Sequence, residues 1–536
     1  MTNALNFSVR WYVVVLVAAV LSLIPTALAA QHANSIGAAS VGWTIDGKPT
    51  AQADLAISAM QQASVHGLRV SDYELTALQT ARARLFSADN VAGDVNDFEQ
   101  RLSRNLLRFL ADLHHGRVLA AAVGFHLPHA NERLDLPAIV QRLKYEPHMM
   151  RAIDALKPQY DGYAQLERAL AQYRVLAADT TLPHISPINA TVHVREYYAD
   201  AAKLRAFLHA LGDLTDSRVA KSEELTFDDS LSAAVRIFQR RHGLDADGVL
   251  TRATVAAMRV TTTARVRQIE LSLERWRWLP DTLPARYAII NVPAFRLYLL
   301  DNDPHMRAPS VSMNVIVGRA DDRHDTPVFT GVMNEVVFRP FWEVPFRIAR
   351  NELVPAIRRD AKYLNRQALE IVGFGRDTTS AYAPTSDNLG RVAAGALRLR
   401  QRPGANNSLG LVKFLFPNEF NVYLHDTPAR SLFTRSERDF SHGCIRVQNP
   451  LALAEFALAG QAEWTSEKIV NAMQGTRTFG VRMSRPVTVF VLYATAVAHD
   501  GVTYFYNDIY HHDTALERVL SLPIAPGTGA ADPKYH

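Results

Sequence analysis

The hydrophobic period of this chain changes near residue 287, and that change excludes any fold built from one kind of secondary structure. Upstream, apolar residues recur at helical spacing, most clearly over residues 97–113, where Phe98, Leu102, Leu106, Phe109, Leu110 and Leu113 fall on one helix face. Residues 74–86 and 150–176 repeat the pattern. Downstream the period is two, and residues 287–292, 295–300, 311–317, 336–338, 422–424, 487–493 and 504–506 read as strands bounded by turn residues. Helices interrupt this region at residues 451–459, between Pro450 and Gly460, and at residues 466–474, before Gly475. A length of 536 residues exceeds one ordinary core, and roughly three domains of about 100–200 residues are expected. The fold class is therefore multidomain α+β, with a helical front and a mostly-β back.

Residues 50–190 form the expected helical scaffold domain, closed by a linker-like run over 179–189 that holds Pro183 and Pro187. Residues 195–262 read as a second, smaller unit. Leu204, Phe207, Leu208 and Leu211 precede Gly212, and Leu231, Ala234, Val235, Phe238 and Gln239 precede Gly243-Leu244. The glycines stand where a helix C-cap needs a left-handed residue. Asp247-Gly248-Val249-Leu250 makes a turn, and Thr251 can cap a third helix through Val255, Ala256 and Met258. In this order the residues resemble the small three-helix peptidoglycan-binding domain.

With 48% hydrophobic and 21% charged residues the composition is that of a globular protein. The formal charge of +5 suits an anionic cell envelope. Nucleic acid is not expected as a partner, because no helix-turn-helix, zinc-finger or aromatic RNA-binding pattern accompanies the charge. After Arg10, residues 11–30 contain only Ser22 and Thr26 as polar residues and close on Ala27-Leu28-Ala29. That reads as a signal peptide cut after Ala29 or Ala30, or as an uncleaved N-terminal membrane anchor, since about 20 apolar residues span a bilayer. Either reading places the remainder outside the cytoplasm, in the periplasm.

Cys444 is the one cysteine, so no intramolecular disulfide is possible and metal sites built on paired cysteines are excluded. No His-Glu-x-x-His is present, and the adjacent pairs His114-His115 and His511-His512 read as surface histidines. Neither a metal nor an organic cofactor is expected.

The chemistry concentrates in Val422-Tyr423-Leu424-His425-Asp426-Thr427-Pro428 and Ser441-His442-Gly443-Cys444-Ile445-Arg446-Val447. A thiol attacks carbonyls as the thiolate, and its free pKa near 8.5 leaves little thiolate at neutral pH without a base or a cation beside it. His425 ends a predicted strand and Cys444 follows a loop, so the two can converge. An imidazolium neighbour is expected to hold the thiol below its ordinary range. Gly443 permits close backbone approach, and its amide with that of Cys444 could stabilise an oxyanion. Taken singly, a cysteine or a histidine is usually structural.

Together these residues resemble the signature of the L,D-transpeptidase family: a histidine, a spacer, then Ser/Thr-His-Gly-Cys. The resemblance implies Cys444 as nucleophile, His425 as its base and later acid, and Ser441, His442 and Gly443 as the rest of the motif. It places Arg446 where a substrate carboxylate could be met bidentately and Tyr423 where a hydroxyl could join the oxyanion site. Many relatives have glycine after the catalytic histidine, where a backbone carbonyl orients the imidazole; here Asp426 stands there.

The larger Gram-negative members share more with this chain: Glu274-Arg275-Trp276-Arg277-Trp278-Leu279-Pro280, Val315-Ile316-Val317-Gly318, Thr326-Pro327-Val328-Phe329, Pro340-Phe341-Trp342-Glu343-Val344-Pro345, Gln401-Arg402-Pro403-Gly404 and Lys413-Phe414-Leu415-Phe416-Pro417-Asn418. By that resemblance residues 285–500 are the mostly-β catalytic domain, an insertion near 349–399 caps its active site, and 501–536 form a C-terminal segment. The implied reaction is acyl transfer between peptidoglycan stem peptides, without cofactor. Water as acceptor, attachment of a lipoprotein, and exchange of free D-amino acids remain alternatives, as does a non-catalytic peptidoglycan-binding protein. Other cell-wall synthesis enzymes are candidate partners.

Overall fold

The structure is a computed structural model that describes residues 42–87, 91–127, 134–215, 225–302, 311–321, 324–375 and 380–522. The apolar segment at residues 1–30 and its expected cleavage point lie outside them. Among the described residues no helix is long and apolar enough to cross a membrane.

The helical front is organised by α1, Ala92–His115. Its stripe of Phe98, Leu102, Leu106, Phe109, Leu110 and Leu113 is buried against Trp43, Met60, Tyr73, Leu143 and Met149, each such side chain contributing about 1.5–3 kcal/mol of burial. The reading of His114 as a surface residue is corrected here. It is buried, and its Nδ1 pairs with the Leu156 carbonyl at 2.8 Å, because the stripe reaches the last turn of α1.

The small unit has its own core of Leu204, Phe207, Leu208, Leu231, Val235, Phe238 and Leu250, which Ile185 from the proline-bearing run also enters. Thr251 caps the third helix by accepting from Thr254 N at 3.1 Å. The unit is tied to α2, Asp161–Ala178, where Arg241 pairs with the buried Asp213 and donates to the Tyr173 hydroxyl at 3.0 Å.

The joint between front and back is α3, Thr262–Trp276. Ile269 and Leu273 pack on Tyr163, Leu166 and Leu170 of α2, whereas Leu271 and Trp278 enter the core of the sheet. Arg277 is buried between Glu274 and the Tyr163 hydroxyl, and Trp278 Nε1 donates to the Val118 carbonyl at 2.7 Å. This joint accounts for the dense Arg-Trp-Arg-Trp run.

Nine strands form the main sheet: β1 Arg286–Asn291, β2 Arg296–Asp301, β3 Val311–Gly318, β4 Phe329–Phe338, β5 Val412–Leu415, β6 Leu424–His425, β7 Asp439–Ser441, β8 Ile445–Val447 and β9 Phe479–Leu492. Their order is β7-β3-β8-β6-β5-β4-β9-β1-β2, and β2 also pairs with β3, which closes a ring. Alternate residues such as Leu297, Leu299, Val315, Val317, Phe414 and Val489 fill the interior, as a period of two requires. Helices Pro450–Leu458 and Ser466–Gln474 cover this core through Leu453, Phe456 and Ile469.

Residues 502–521 complete the same body. Val502–Phe505 pairs with Ala496–His499, and α4, His512–Ser521, places Leu516 and Leu520 in the sheet core. His512 is no surface histidine either, since its ring packs against Phe125 and Tyr493. A cap with a separate core that includes Val344, Val354, Ile371, Leu389 and Leu399 stands beside the ring, built on a small sheet of Trp342–Glu343, Leu369–Val372 and Arg398–Gln401.

Candidate active site

Register decides which side chains meet. Strand β6 lies parallel to β8 with Leu424 opposite Ile445 and His425 opposite Arg446, and antiparallel to β5 with Phe414 opposite Leu424 and Lys413 opposite His425. Leu424, Ile445 and Phe414 point into the core. Side chains alternate along a strand, so Lys413, His425 and Arg446 make a row on the opposite face, with Tyr423 and Cys444 one step before. The structure thus brings together residues 19 positions apart, as the two halves of the motif require.

The turn before Cys444 is held by side chains. Gly443 has φ 108, a conformation that L side chains rarely adopt. Ser441 is buried, and its Oγ donates to the Cys444 carbonyl while accepting the Gly443 N–H at 3.1 Å. The Gly443 amide therefore serves the turn, which departs from its expected oxyanion role. Among the described residues the Cys444 N–H has no protein partner. Thr326 fixes the turn from below: its Oγ1 donates to the Gly443 carbonyl at 2.9 Å and accepts from Gly318 N at 2.8 Å. Tyr510 braces Thr326 in turn, its hydroxyl accepting from Thr326 N at 3.3 Å and donating to the Gly318 carbonyl at 2.5 Å.

His425 is buried, and its Nδ1 lies 2.6 Å from the Asp426 carbonyl oxygen. Nδ1 therefore carries the proton, and Nε2 keeps the lone pair. Asp426 does not face the cleft. Its carboxylate accepts from Leu411 N at 2.8 Å and Thr427 N at 2.7 Å and pairs with Arg430.

Burial first, then the Arg446 charge, lowers the His425 pKa to about 3. Burial pushes the Cys444 thiol up, although Tyr423, Arg446 and Lys413 oppose that push. Burial thus works against the expected imidazolium–thiolate pair at both groups. The thiol instead lies 3.7 Å from the Asn421 carbonyl, and Tyr423 approaches it with both its backbone and its hydroxyl. Burial also lowers the pKa of Arg446, whose Nε is buried without a hydrogen-bond partner among the described residues.

Cys444, His425, Tyr423, Ser441, His442 and Arg446 line one cleft of about 850 Å³ whose opposite wall is the cap. A π-helical turn at Ala349–Leu353 projects Arg350 and Glu352 from the cap into that cleft, and Arg347 lines it as well. Glu352 meets His442 Nε2 at 2.9 Å. Sequence reading missed Lys413, Thr326, Tyr510, His324 and these cap residues. The Lys413 run and Thr326-Pro327 stood in the shared segments, a usable signal for those two. Nothing local marked Tyr510 or Glu352.

Residues 285–489 match the family model of the L,D-transpeptidase catalytic domain, YkuD; residues 38–170 match the scaffold domain; and residues 198–258 match a provisionally described peptidoglycan binding domain. A Haemophilus influenzae protein provisionally named as an L,D-transpeptidase is 32% identical over 256 residues, which are 47% of this chain and 49% of that protein. The chain thus spans about half the length of the curated relative it matches. By these matches residues 285–489 are an L,D-transpeptidase catalytic domain, with a scaffold domain and a peptidoglycan-binding domain ahead of it.

Proposed function

We propose that the protein is a periplasmic L,D-transpeptidase that crosslinks peptidoglycan through an acyl-enzyme on Cys444. The carrying observation is the parallel register of β6 and β8, which puts His425 and Arg446 opposite each other beside Cys444 in one capped cleft. The match to the L,D-transpeptidase catalytic domain and that to a peptidoglycan-binding domain support the polymer as substrate.

In the first half-reaction His425 Nε2 takes the thiol proton as Sγ attacks the carbonyl that joins the third residue of a tetrapeptide stem to D-alanine. A neutral imidazole beside a thiol of raised pKa suits transfer concerted with attack rather than a preformed ion pair. The Cys444 N–H and the Tyr423 hydroxyl would serve the tetrahedral oxyanion. The imidazolium then returns its proton to the departing D-alanine amine, leaving a thioester. In the second half a diaminopimelate side-chain amine of another stem attacks the thioester, its proton passes to His425, and the thiol is regenerated. Arg446, with a free buried Nε, and the cap arginines Arg347 and Arg350 would receive stem carboxylates.

Incubation of the purified protein with tetrapeptide muropeptides, followed by mass analysis, tests this reading. Crosslinked dimers with loss of D-alanine are expected. Tripeptide products alone would make the protein a hydrolase with the same dyad, and lipoprotein adducts in envelope extracts would point to attachment. A carbapenem should add one drug mass at Cys444; an adduct on any other residue would remove Cys444 from the nucleophile role.

A further inference from the structure

Above the catalytic row, three side chains from separate parts of the fold converge in a way that acyl transfer does not use. His324 lies in the loop after β3, His442 in the turn before Cys444, and Glu352 in the π-helical turn of the cap. One ligand atom from each lies within 4.8 Å of the others. His442 Nε2 and Glu352 Oε1 are 2.9 Å apart, and the His324 and His442 rings meet edge-on with centroids 4.8 Å apart.

We propose that His324, His442 and Glu352 form a site for a divalent transition metal of the zinc class that clamps the cap onto the rim of the cleft. Two imidazoles and one carboxylate are a donor set that zinc takes, with metal–nitrogen distances of about 2.0–2.1 Å and a fourth position left to water. Donors on a tetrahedral zinc stand roughly 3.3 Å apart, so separations of up to 4.8 Å would have to close by about 1.5 Å, while the His442–Glu352 pair at 2.9 Å would open slightly. A second observation supports a ligand role for His324. Its Nδ1 meets both carboxylate oxygens of Asp321 at 2.8 Å. When Asp321 accepts the Nδ1 proton, Nε2 is left as the donor, the carboxylate–histidine arrangement that orients metal-binding imidazoles; Arg319 Nη2, 3.2 Å from the same Nδ1, competes for that nitrogen. Arg319 is the cation facing the cluster, and its Nε lies 3.6 Å from the same Asp321, so its charge is partly offset.

Without metal the cap is fastened here by one partly exposed His442–Glu352 pair, a weak tie. With metal, Glu352 is locked to two residues of the rim, one of them two positions before the nucleophile. Metal would therefore restrict entry to Cys444, as a reversible brake distinct from any step of the reaction.

Zinc binding to the full chain should be measured by calorimetry, and Co²⁺ absorption should report the geometry. Cys444→Ser serves as the background, so the thiol cannot act as a ligand. One Zn²⁺ per chain is expected in wild type and in Cys444→Ser, with affinity lowered at least tenfold by Glu352→Gln or His324→Gln. Both of these positions are solvent-accessible, so folding should survive. In wild type, Zn²⁺ should slow alkylation of Cys444 by iodoacetamide at least tenfold, and Glu352→Gln should abolish that protection. Absence of stoichiometric binding, loss of binding in Cys444→Ser, or protection that persists in Glu352→Gln would each overturn the proposal. None of these readouts depends on peptidoglycan being the substrate.

Discussion

The backbone carbonyl of Asp426 accepts the Nδ1 proton of His425 at 2.6 Å, so the aspartate does what a glycine does at this place in many relatives. Its side chain does something a glycine cannot, tying β5 and β6 together through Leu411 N, Thr427 N and Arg430. Orientation of the imidazole and cohesion of the strands are thereby separated within one residue.

Asp426→Ala tests that separation. The carbonyl remains, while two N–H groups lose an ionised acceptor, at a cost of about 2–4 kcal/mol. Thermal unfolding should shift down accordingly. Acylation per folded molecule, followed by carbapenem adduct formation at a permissive temperature, should fall less than tenfold. A far larger loss would mean that the carboxylate itself acts in the chemistry.

His425→Ala should lower acylation by on the order of a hundredfold to ten-thousandfold, the usual worth of a positioned acid–base group. His442→Ala should damage less, since His442 faces Glu352 of the cap rather than the row of β6 and β8. Mass-resolved adduct kinetics on both variants decide between them.

The rate of Cys444 alkylation should rise with pH along a curve whose inflection lies above the ordinary cysteine value, because burial raises the thiol pKa. Replacing His425 by alanine should barely move it, as a neutral imidazole brings no charge, whereas Arg446→Ala should move it upward by removing an opposing cation. An inflection below the ordinary value that rises in His425→Ala would restore the ion-pair picture.

Stability should fall on acidification. The folded pKa values of His425 and His512 are depressed to about 3 and about 4 by burial, against about 6.5 when unfolded. Between those values the unfolded chain binds more protons than the folded one, so unfolding free energy rises with pH across roughly pH 3 to 6.5. Each histidine contributes up to about 1.4 kcal/mol per pH unit in that window. Chemical denaturation at several pH values should show a shallower slope in His512→Gln, provided its ring packing survives.

Thr326→Val removes the hydroxyl that links the Gly443 carbonyl to Gly318. A lost bond of about 1–2 kcal/mol, felt in the transition state, corresponds to roughly a tenfold slower acylation. Tyr510→Phe acts one contact further away and should slow it less. Equal effects from the two would show that the turn responds as one unit.

The sequence by itself determined the helical front, the three-helix unit and the sheet, because period and capping are local: the stripe through Phe98 and Leu113, the Thr251 cap and the alternation in β2 follow from spacing alone. It also marked Cys444 and His425 as candidate partners, since their motif is written in contiguous residues. The tertiary structure decided the rest. Desolvation depends on what packs around a group, so the burial that opposes charge on His425 and Cys444 could not be read from a histidine and a cysteine in a row of letters. Register set Lys413 beside His425 across β5 and β6, and chain closure brought Tyr510 beneath a turn centred on Gly443. Glu352 meets His442 only because the cap folds on a core of its own and returns its π-helical turn to the cleft, a contact over 90 residues that no local pattern encodes.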